Sequence, residues 1–268
     1  SIDKVDIQPV ILEPLCDSLT PVHLFGQDLD KKYITRDEKG CITEINISDS
    51  IIHSHLDFDG IEEYSSIRKI KIISNDINSA DLGNLKMCPL LEELNLNNNN
   101  FTTIDLAPIS YCKQIKNIYL SFCNIENIDL SPLSSCDSLA ILDLQKNNLN
   151  SIDLSPLSEC NNIKMINLSG NNISSIDLYP LKFCEYLEGI GLSRNRLNSI
   201  NLAPFADCQN LGWIYLNDNL IEHINMDPVR QLGMLQSFNI SNNPLSKESL
   251  DHMEQFSKEN PDMVNLRY

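Results

Sequence analysis

Cysteine is the residue type that offers this chain the most chemistry, and nine cysteines occur in its sequence. Six of them recur at one constant interval, as Cys88, Cys112, Cys136, Cys160, Cys184 and Cys208. A column of one residue type at a regular period is typical of a buried ladder, because free thiols pack as small apolar side chains. Zinc binding is the functional alternative, but no CxxC or HxxxH pair accompanies the column. The spacing therefore predicts packed thiols.

The oxidation state of this ladder bears on where the protein works. Reduced thiols are typical of intracellular proteins, so the ladder predicts a cytoplasmic location. Disulfides between neighbouring cysteines stay open as an alternative, because adjacent strands lie only about 5 Å apart, which is within disulfide range.

Two further groups of residues could bind metal ions. His53, His55, Asp57 and Asp59 alternate along one segment and could line one side of an extended chain. No second cluster completes that site, so a solvated acidic segment is the favoured interpretation. A column with the same period as the cysteines could form a calcium-binding stripe; it holds Asp81, Asp105, Asp129, Asp153 and Asp177, then Asn201 and Asn225. Since asparagine also accepts a backbone N–H, local turns explain this column better. The sequence predicts no metal and no cofactor.

Catalytic motifs are not found in the sequence. It has no Gly-rich phosphate loop, no GxSxG and no HExxH, and both His223 and His252 are isolated. We therefore predict that the chain is not an enzyme.

The candidate residues are positioned by a repeat whose period is twenty-four positions. Its units begin at Ile67, Leu91, Ile115, Leu139, Ile163, Leu187, Leu211 and Leu235. Apolar residues at positions 4 and 6 alternate with mostly polar ones at positions 3, 5 and 7, which is the pattern of a half-buried strand. Position 9 is asparagine in every unit except one, where Cys123 replaces it. An asparagine side chain can satisfy the backbone groups that the turn after each strand leaves buried.

This pattern resembles the leucine-rich repeat family, whose motif LxxLxLxxNxL stands here as Leu139-x-x-Leu142-x-Leu144-x-x-Asn147-x-Leu149. The resemblance implies a curved α/β solenoid with a parallel β-sheet on its concave side and a return segment on its convex side. In the return segment, Ser131-Pro132 and Ser155-Pro156 have the form of an N-cap followed by proline at the first helical position. The cysteine follows a few positions later, which predicts a single helical or 3-10 turn.

The two ends of the chain depart from the repeat and predict caps. Residues 1–41 are expected to form an N-terminal cap with a hairpin, in which Gly40 suits a positive φ. The segment 42–245 holds the repeats, with a first unit that is one position longer than the others. The segment 246–268 is expected to form a C-terminal cap, with a helix that carries Leu250, Met253 and Phe256 and a closing strand at Met263–Leu266.

Charge narrows the range of partners. The net charge is −17, and the segment 1–66 carries 14 acids against 5 bases. Such a surface repels phosphate backbones and anionic lipids, so neither nucleic acid nor membrane is an expected partner. The sequence also has no apolar run long enough for a transmembrane helix and no recognisable signal peptide. We expect a soluble monomer.

The predicted binding site lies on the concave strands, where exposed positions should be polar but several are apolar. The chain's only tryptophan, Trp213, is one of them, and Gly189 and Gly191 beside it predict a notch in the sheet. Arg194 and Arg196 are expected to edge this notch and to suit an acidic group of the partner. The alternative is that the apolar residues cover one another across strands. The predicted site comprises Asn117, Tyr119, Phe122, Ile141, Asp143, Met165, Asn167, Gly189, Gly191, Arg194, Arg196, Trp213 and Tyr215.

The resemblance and this surface together predict a non-catalytic recognition module that binds a protein or peptide. One alternative is a regulatory or targeting segment of a larger enzyme. Another is the capture of a small ligand or carbohydrate, which the shallow open sheet makes less suitable.

Overall fold

The computed structural model describes residues 22–25, 27–48, 52, 54–261 and 265–268. These residues form fifteen strands: β1 Val22–Leu24, β2 Gln27–Leu29, β3 Ile34–Arg36, β4 Ile42–Ile47, β5 Ser54–Leu56, β6 Lys69–Ile72, β7 Ile77–Ala80, β8 Glu93–Asn95, β9 Asn117–Tyr119, β10 Ile141–Asp143, β11 Met165–Asn167, β12 Gly189–Gly191, β13 Trp213–Tyr215, β14 Ser237–Asn239 and β15 Asn265–Arg267. One α-helix, α1, spans Lys247–Glu259.

One sheet of eleven strands runs through the repeats in the order β15-β14-β13-β12-β11-β10-β9-β8-β6-β4-β3. Its strands are parallel from β4 onwards, and from β6 to β14 each residue pairs with the residue exactly one repeat further along the chain. Two short strands, β5 and β7, form a separate parallel pair. The prediction of one strand per repeat in one parallel sheet from Ile42 is confirmed.

The return segments are 3-10 helices, as predicted, at Gly83–Met87, Ala107–Tyr111, Ser131–Ser135, Ser155–Glu159, Tyr179–Phe183, Ala203–Phe205 and Asp227–Val229, and two more lie at Lys31–Tyr33 and Ile61–Glu63. The predicted serine N-caps are wrong. Ser131 lies inside its helix, and the Asp129 carboxylate accepts its N–H at 2.8 Å. A carboxylate placed two residues before that N–H reaches it directly, so the turn does not use the serine hydroxyl as a cap.

The same contact explains the whole acidic column. At each unit from Asp81 to Asn225 the side chain accepts the N–H two residues on, at 2.8 to 3.0 Å. The interpretation of this column as a set of local turns is confirmed.

The asparagine column connects neighbouring repeats through the buried turns. The Asn147 amide donates to the carbonyls of Leu120 and Leu144 at 2.8 and 2.9 Å, and its oxygen accepts the N–H groups of Cys123 and Ile125 at 3.1 and 2.9 Å. The donation to one carbonyl of the same turn and one of the preceding repeat recurs at Asn99, Asn171, Asn195, Asn219 and Asn243. Four backbone groups in two repeats thus depend on the one side chain of Asn147.

Cys123 occupies the asparagine position of its repeat, but its thiol is a weaker hydrogen-bonding group than an amide. Its sulfur lies 3.2 Å from the Leu96 carbonyl and 3.3 Å from that of Ser121. It has no oxygen to accept the Phe101 N–H, which is the group equivalent to the Ile125 N–H that Asn147 satisfies. Hydrogen bonding in this turn is therefore weaker than in its neighbours.

The cysteine column is a ladder of buried free thiols, as the spacing predicted. The thiols of Cys112, Cys136 and Cys160 point at main-chain carbonyls of the preceding repeat at 3.4, 3.8 and 3.3 Å. Burial raises the pKa of Cys88, Cys112, Cys160 and Cys184 to about 12. Outside the column, Cys41 is disulfide-bonded.

The described parts of both predicted caps contain their main elements, whereas residues 1–21 and 26 of the predicted N-terminal cap lie outside the described residues. In the N-terminal hairpin β3 pairs antiparallel with β4, and Gly40 has a φ of 86°. At the other end, the Ser246 hydroxyl accepts the Ser249 N–H at 3.2 Å and begins α1, whose Met253 and Phe256 are buried. Leu250, predicted to belong to the same apolar face, is 38% exposed. The closing strand is β15, which pairs with β14; Met263 and Val264, the first two residues of the predicted closing strand, lie outside the described residues. The exact division into caps and repeats stays a prediction.

We predict that Asn147→Ala lowers the free energy of unfolding by about 2–4 kcal/mol, because it leaves several buried backbone groups without a partner. Cys123→Asn should raise it by about 1 kcal/mol, since it restores the missing acceptor. Urea unfolding measures both, and Asn148→Ala at the next, exposed position is the control. Equal stability of all three variants and the wild type would contradict the role of the ladder.

We also predict that the free thiols of the native protein react very slowly with a disulfide reagent at about pH 8, because burial raises the pKa of each of them, that of Cys112 to about 12, and leaves almost no thiolate. After denaturation without reductant, at least seven thiols should react. Rapid reaction of the native protein would show that the ladder is accessible.

Candidate functional site

Ten of the thirteen predicted site residues lie together on five adjacent strands, β9 to β13. They form two parallel rows on the face opposite the buried leucines and isoleucines. One row holds Asn117, Ile141, Met165, Gly189 and Trp213. The other, which we call the central row, continues beyond the prediction and holds Tyr119, Asp143, Asn167, Gly191, Tyr215, Asn239 and Arg267.

The predicted notch at the two glycines is wrong, because side chains of neighbouring strands fill it. The indole of Trp213 lies over Gly189, where a Cβ atom would collide with the ring. At Gly191, a Cβ atom would lie 2.5 Å from Asn167 Oδ1 and 2.8 Å from Ser169 Oγ. An indole next to a glycine can bury apolar surface by packing on the glycine backbone. The two glycines therefore provide a surface on which neighbouring side chains pack, and they leave no open notch.

Trp213, which packs on Gly189, forms an aromatic pair with Tyr215. The rings of Trp213 and Tyr215 stack with their centroids 5.0 Å apart and an angle of 30° between their planes. Trp213 is half-buried, whereas Tyr215 stays 37% exposed. Two rings fixed against the sheet lose little rotamer freedom when a partner covers them, which is a property of interface hot spots.

Asp143 carries a carboxyl group in a buried environment that disfavours its charged form. The residue is only 7% exposed, and burial raises the pKa of its carboxyl, although it accepts the Gln145 backbone N–H at 3.0 Å. Beside it, burial and the carboxylates of Glu93 and Asp143 raise the pKa of the Tyr119 phenol. Since no described cation pairs with Asp143, its charge would be better satisfied by a positive group from outside.

Phe122 lies in the turn after β9 and is held in a strained conformation. Its φ is 57°, as position 8 adopts a positive φ in every unit from Ser74 to Asn242. A bulky residue in that region costs about 1–2 kcal/mol. Its ring is nevertheless 43% exposed, with Lys146 Nζ 4.5 Å from the centroid. A costly and exposed aromatic ring favours a binding role over a packing role.

The two predicted arginines differ in their surroundings. Arg194 lies in the turn after β12, where its Nε is 3.7 Å from a carboxylate oxygen of Asp218. Arg196 is exposed, but it follows the buried Asn195 and lies outside both strand rows. With the notch closed, the predicted role of these residues at its edge has no support in the geometry.

Sequence reasoning missed the C-terminal end of the concave face. A concavity of about 370 Å³ lies there, lined by Tyr215, Asn217, Ser237, Asn239 and Arg267. Arg267 is exposed and makes no ion pair with the described residues. It escaped the prediction because it belongs to the cap, where no repeat frame gives its register. The one available signal was the repeat position of Asn239, which places it in the central row next to Tyr215.

In the part of the chain that the structure describes, no group of three or more His, Cys, Asp or Glu side chains lies close enough together to hold a metal ion. His53 lies outside the described residues. His55 Nδ1 is 2.8 Å from Ser79 Oγ, and the Asp59 carboxylate accepts from Asn84 at 3.1 Å. Among the described helices, none combines the length and apolarity needed to cross a bilayer.

Family models identify the repeat. Two models, both described as leucine-rich repeat, match residues 113–173 with 185–245 and residues 90–112, which is together more than half of the chain. The chain belongs to the leucine-rich repeat family. No curated protein sequence matches it significantly.

Solved structures with this fold are numerous. Internalin C2 from Listeria monocytogenes matches with a TM-score of 0.63 and 24% identity, over 75% of this chain and 81% of that one. The ectodomain of the Arabidopsis thaliana membrane receptor kinase GASSHO1/SCHENGEN3, in complex with Casparian strip integrity factor 2, matches with a TM-score of 0.68 and 20% identity, over 76% and 24%. The functional domain of InlJ from Listeria monocytogenes, which includes a cysteine ladder, matches with a TM-score of 0.57 and 20% identity, over 78% and 47%. At these identities the likeness establishes the fold.

We predict that Gly189→Ala forces the indole of Trp213 off the sheet, because the new methyl group takes its place. As Trp213 is the only tryptophan, its fluorescence emission should shift to longer wavelength, and the protein should lose about 1–3 kcal/mol of stability. Gly233→Ala is the control, since nothing lies within 4 Å of its added Cβ atom. An unchanged emission maximum in Gly189→Ala would mean that the indole does not rest there.

Proposed function

We propose that this chain is a non-catalytic recognition module that binds an extended peptide segment of another protein along the central row. The observation that carries the proposal is the order of groups in that row. A buried carboxylate, Asp143, lies near one end, the stacked Tyr215 lies between, and the exposed Arg267 lies at the other end. Opposite charges at the two ends would orient a peptide and fix its direction.

The spacing of the row defines the length of the ligand. Asp143 and Arg267 are five strand steps apart, which at about 4.8 Å per step is roughly 24 Å. An extended chain advances about 3.4 Å per residue, so about seven residues join the two ends. We therefore propose a peptide with a basic residue for Asp143 and an acidic group for Arg267 about seven residues away.

The apolar contribution to the proposed peptide binding comes from the middle of the concave face. Trp213 and Tyr215 offer a fixed aromatic surface, and Ile141 and Met165 in the neighbouring row extend it towards Asp143. The N-terminal end of the same sheet is less available, because Lys71 already contacts Glu44 at 3.2 Å and Glu93 at 3.6 Å. The binding energy should thus concentrate between β9 and β15.

The class of partner also follows from charge. With a net charge of −17, nucleic acid and anionic membranes remain poor partners, and we propose that the module acts as a monomer. Its location stays a prediction. Seven buried free thiols suit the predicted reducing cytoplasm, whereas the disulfide at Cys41 is typical of an oxidising compartment.

Affinity capture from the native source, with wild type and Trp213→Ala/Tyr215→Ala as baits, tests the proposal. We expect specific partners to be lost with the double variant, because removing central aromatic contacts typically costs about 2 kcal/mol or more, about thirty-fold in affinity. Asp143→Asn and Arg267→Gln should each weaken capture, and Asn148→Ala, on an exposed turn, should not. Capture of the same partners in equal amounts by the double variant, at unchanged stability, would place the site elsewhere.

A further inference from the structure

A second unusual surface lies on the convex side, in the return segment of a single repeat. Tyr179, Phe183 and Tyr186 are 59%, 59% and 52% exposed. The fold of this segment does not need them, because its buried contacts come from Leu181 and Cys184. In the preceding repeat the equivalent positions hold Ser155, Glu159 and Asn162. Three exposed aromatic rings in one unit are therefore an addition to the repeat and not a part of it.

These rings form one continuous patch, which we call the convex patch. Lys182 Nζ lies 5.7 Å from the ring centroid of Tyr179 and 5.6 Å from that of Phe183. Phe183 and Tyr186 in turn line a cavity of about 470 Å³, whose other walls are Ser158, Glu159, Asn161 and Glu185. The cavity lies between the return segments of two consecutive repeats, so it combines aromatic faces from one with a carboxylate from each.

The surroundings of the convex patch are acidic. The return segments 131–138, 155–162, 179–186 and 203–210 carry four carboxylates, Asp137, Glu159, Glu185 and Asp207, against one ammonium group, Lys182. No ion pair of these four carboxylates occurs within the described chain. A negative field around aromatic faces attracts cations, which bind both to carboxylates and to the faces of the rings.

We propose that the convex patch is a second docking site, which takes a basic and partly apolar peptide segment of another protein. An arginine or lysine side chain of that segment enters the cavity between Glu159 and Glu185, and an apolar neighbour packs on Phe183 and Tyr186. An acidic partner is disfavoured by repulsion, and a nucleic acid by the same carboxylates. Because this site lies on the opposite side of the solenoid from the central row, both sites can be occupied at once and the module can join two proteins.

The test starts from a display library of short random peptides, selected on immobilised wild-type protein. Peptides that also bind the immobilised triple variant Tyr179→Ser/Phe183→Ser/Tyr186→Asn are then removed. The new residues of this variant are those that other repeats carry at the same positions. The surviving peptides should be rich in Arg or Lys next to apolar residues. Their affinities are measured by fluorescence anisotropy with labelled synthetic copies at low and high salt.

We expect the triple variant to bind such peptides at least about thirty-fold more weakly, because it lacks the aromatic contacts. Glu159→Gln/Glu185→Gln should weaken binding about five-fold and reduce its dependence on salt. This isosteric pair keeps the test valid if the triple variant folds poorly. Tyr111→Ser, a change at an equally exposed tyrosine of another repeat, and Trp213→Ala/Tyr215→Ala should leave binding unchanged.

The proposal is overturned if no peptide survives the depletion, or if the survivors carry no excess of basic residues. Equal losses in the Tyr111→Ser or Trp213→Ala/Tyr215→Ala variants would overturn it as well. Because the concave variant is measured beside the convex ones, failure of this proposal and failure of the proposed function give different results.

Discussion

The hydrogen bonds of the asparagine column are the constraint on which the rest of this structure depends. Each turn after a strand carries buried N–H and C=O groups that a short strand cannot satisfy. A residue such as Asn147 satisfies groups in its own repeat and in the one before, so neighbouring units are held at one fixed offset. The parallel register and the stacking of the buried thiols follow from this offset, whereas each acidic turn is closed by a contact within its own unit. Where Cys123 interrupts the column, the regular spacing of its neighbours preserves the register.

Because the offset between units is fixed, residues at the same position of successive repeats lie side by side in one row on the surface of the sheet. The buried columns are constant because every unit needs the same packing, and the exposed columns are free to vary. We therefore expect binding sites where exposed residues depart from the type that is common in their column, on either side of the sheet. The packing of Trp213 on Gly189 and the aromatic cluster around Phe183 are two such departures, and they lie on opposite sides of the sheet because strands and return segments do.

Periodicity made the fold accessible from sequence, since one frame predicts the strand, turn and return segment of every unit. The site was less accessible. The residues of the two rows were correctly grouped, because register is a property of the backbone. The notch at Gly189 and Gly191 was wrong, because the direction of a side chain such as Trp213 depends on what its neighbours leave empty. Arg267 could not be placed because the repeat frame ends before it. The convex rings could not be singled out because the return segments lack the strict alternation that marks exposed positions in a strand.

The constant step of the sheet has a consequence for how such a module could diversify. If ligand length is measured between a carboxylate on β10 and a guanidinium on β15, the number of intervening units acts as a ruler. Duplication or deletion of one whole unit would move the two ends by about 4.8 Å, somewhat more than one extended residue, without disturbing the contacts at either end. Changes in repeat number would then retune the preferred ligand in discrete increments, while the chemistry of recognition stayed the same.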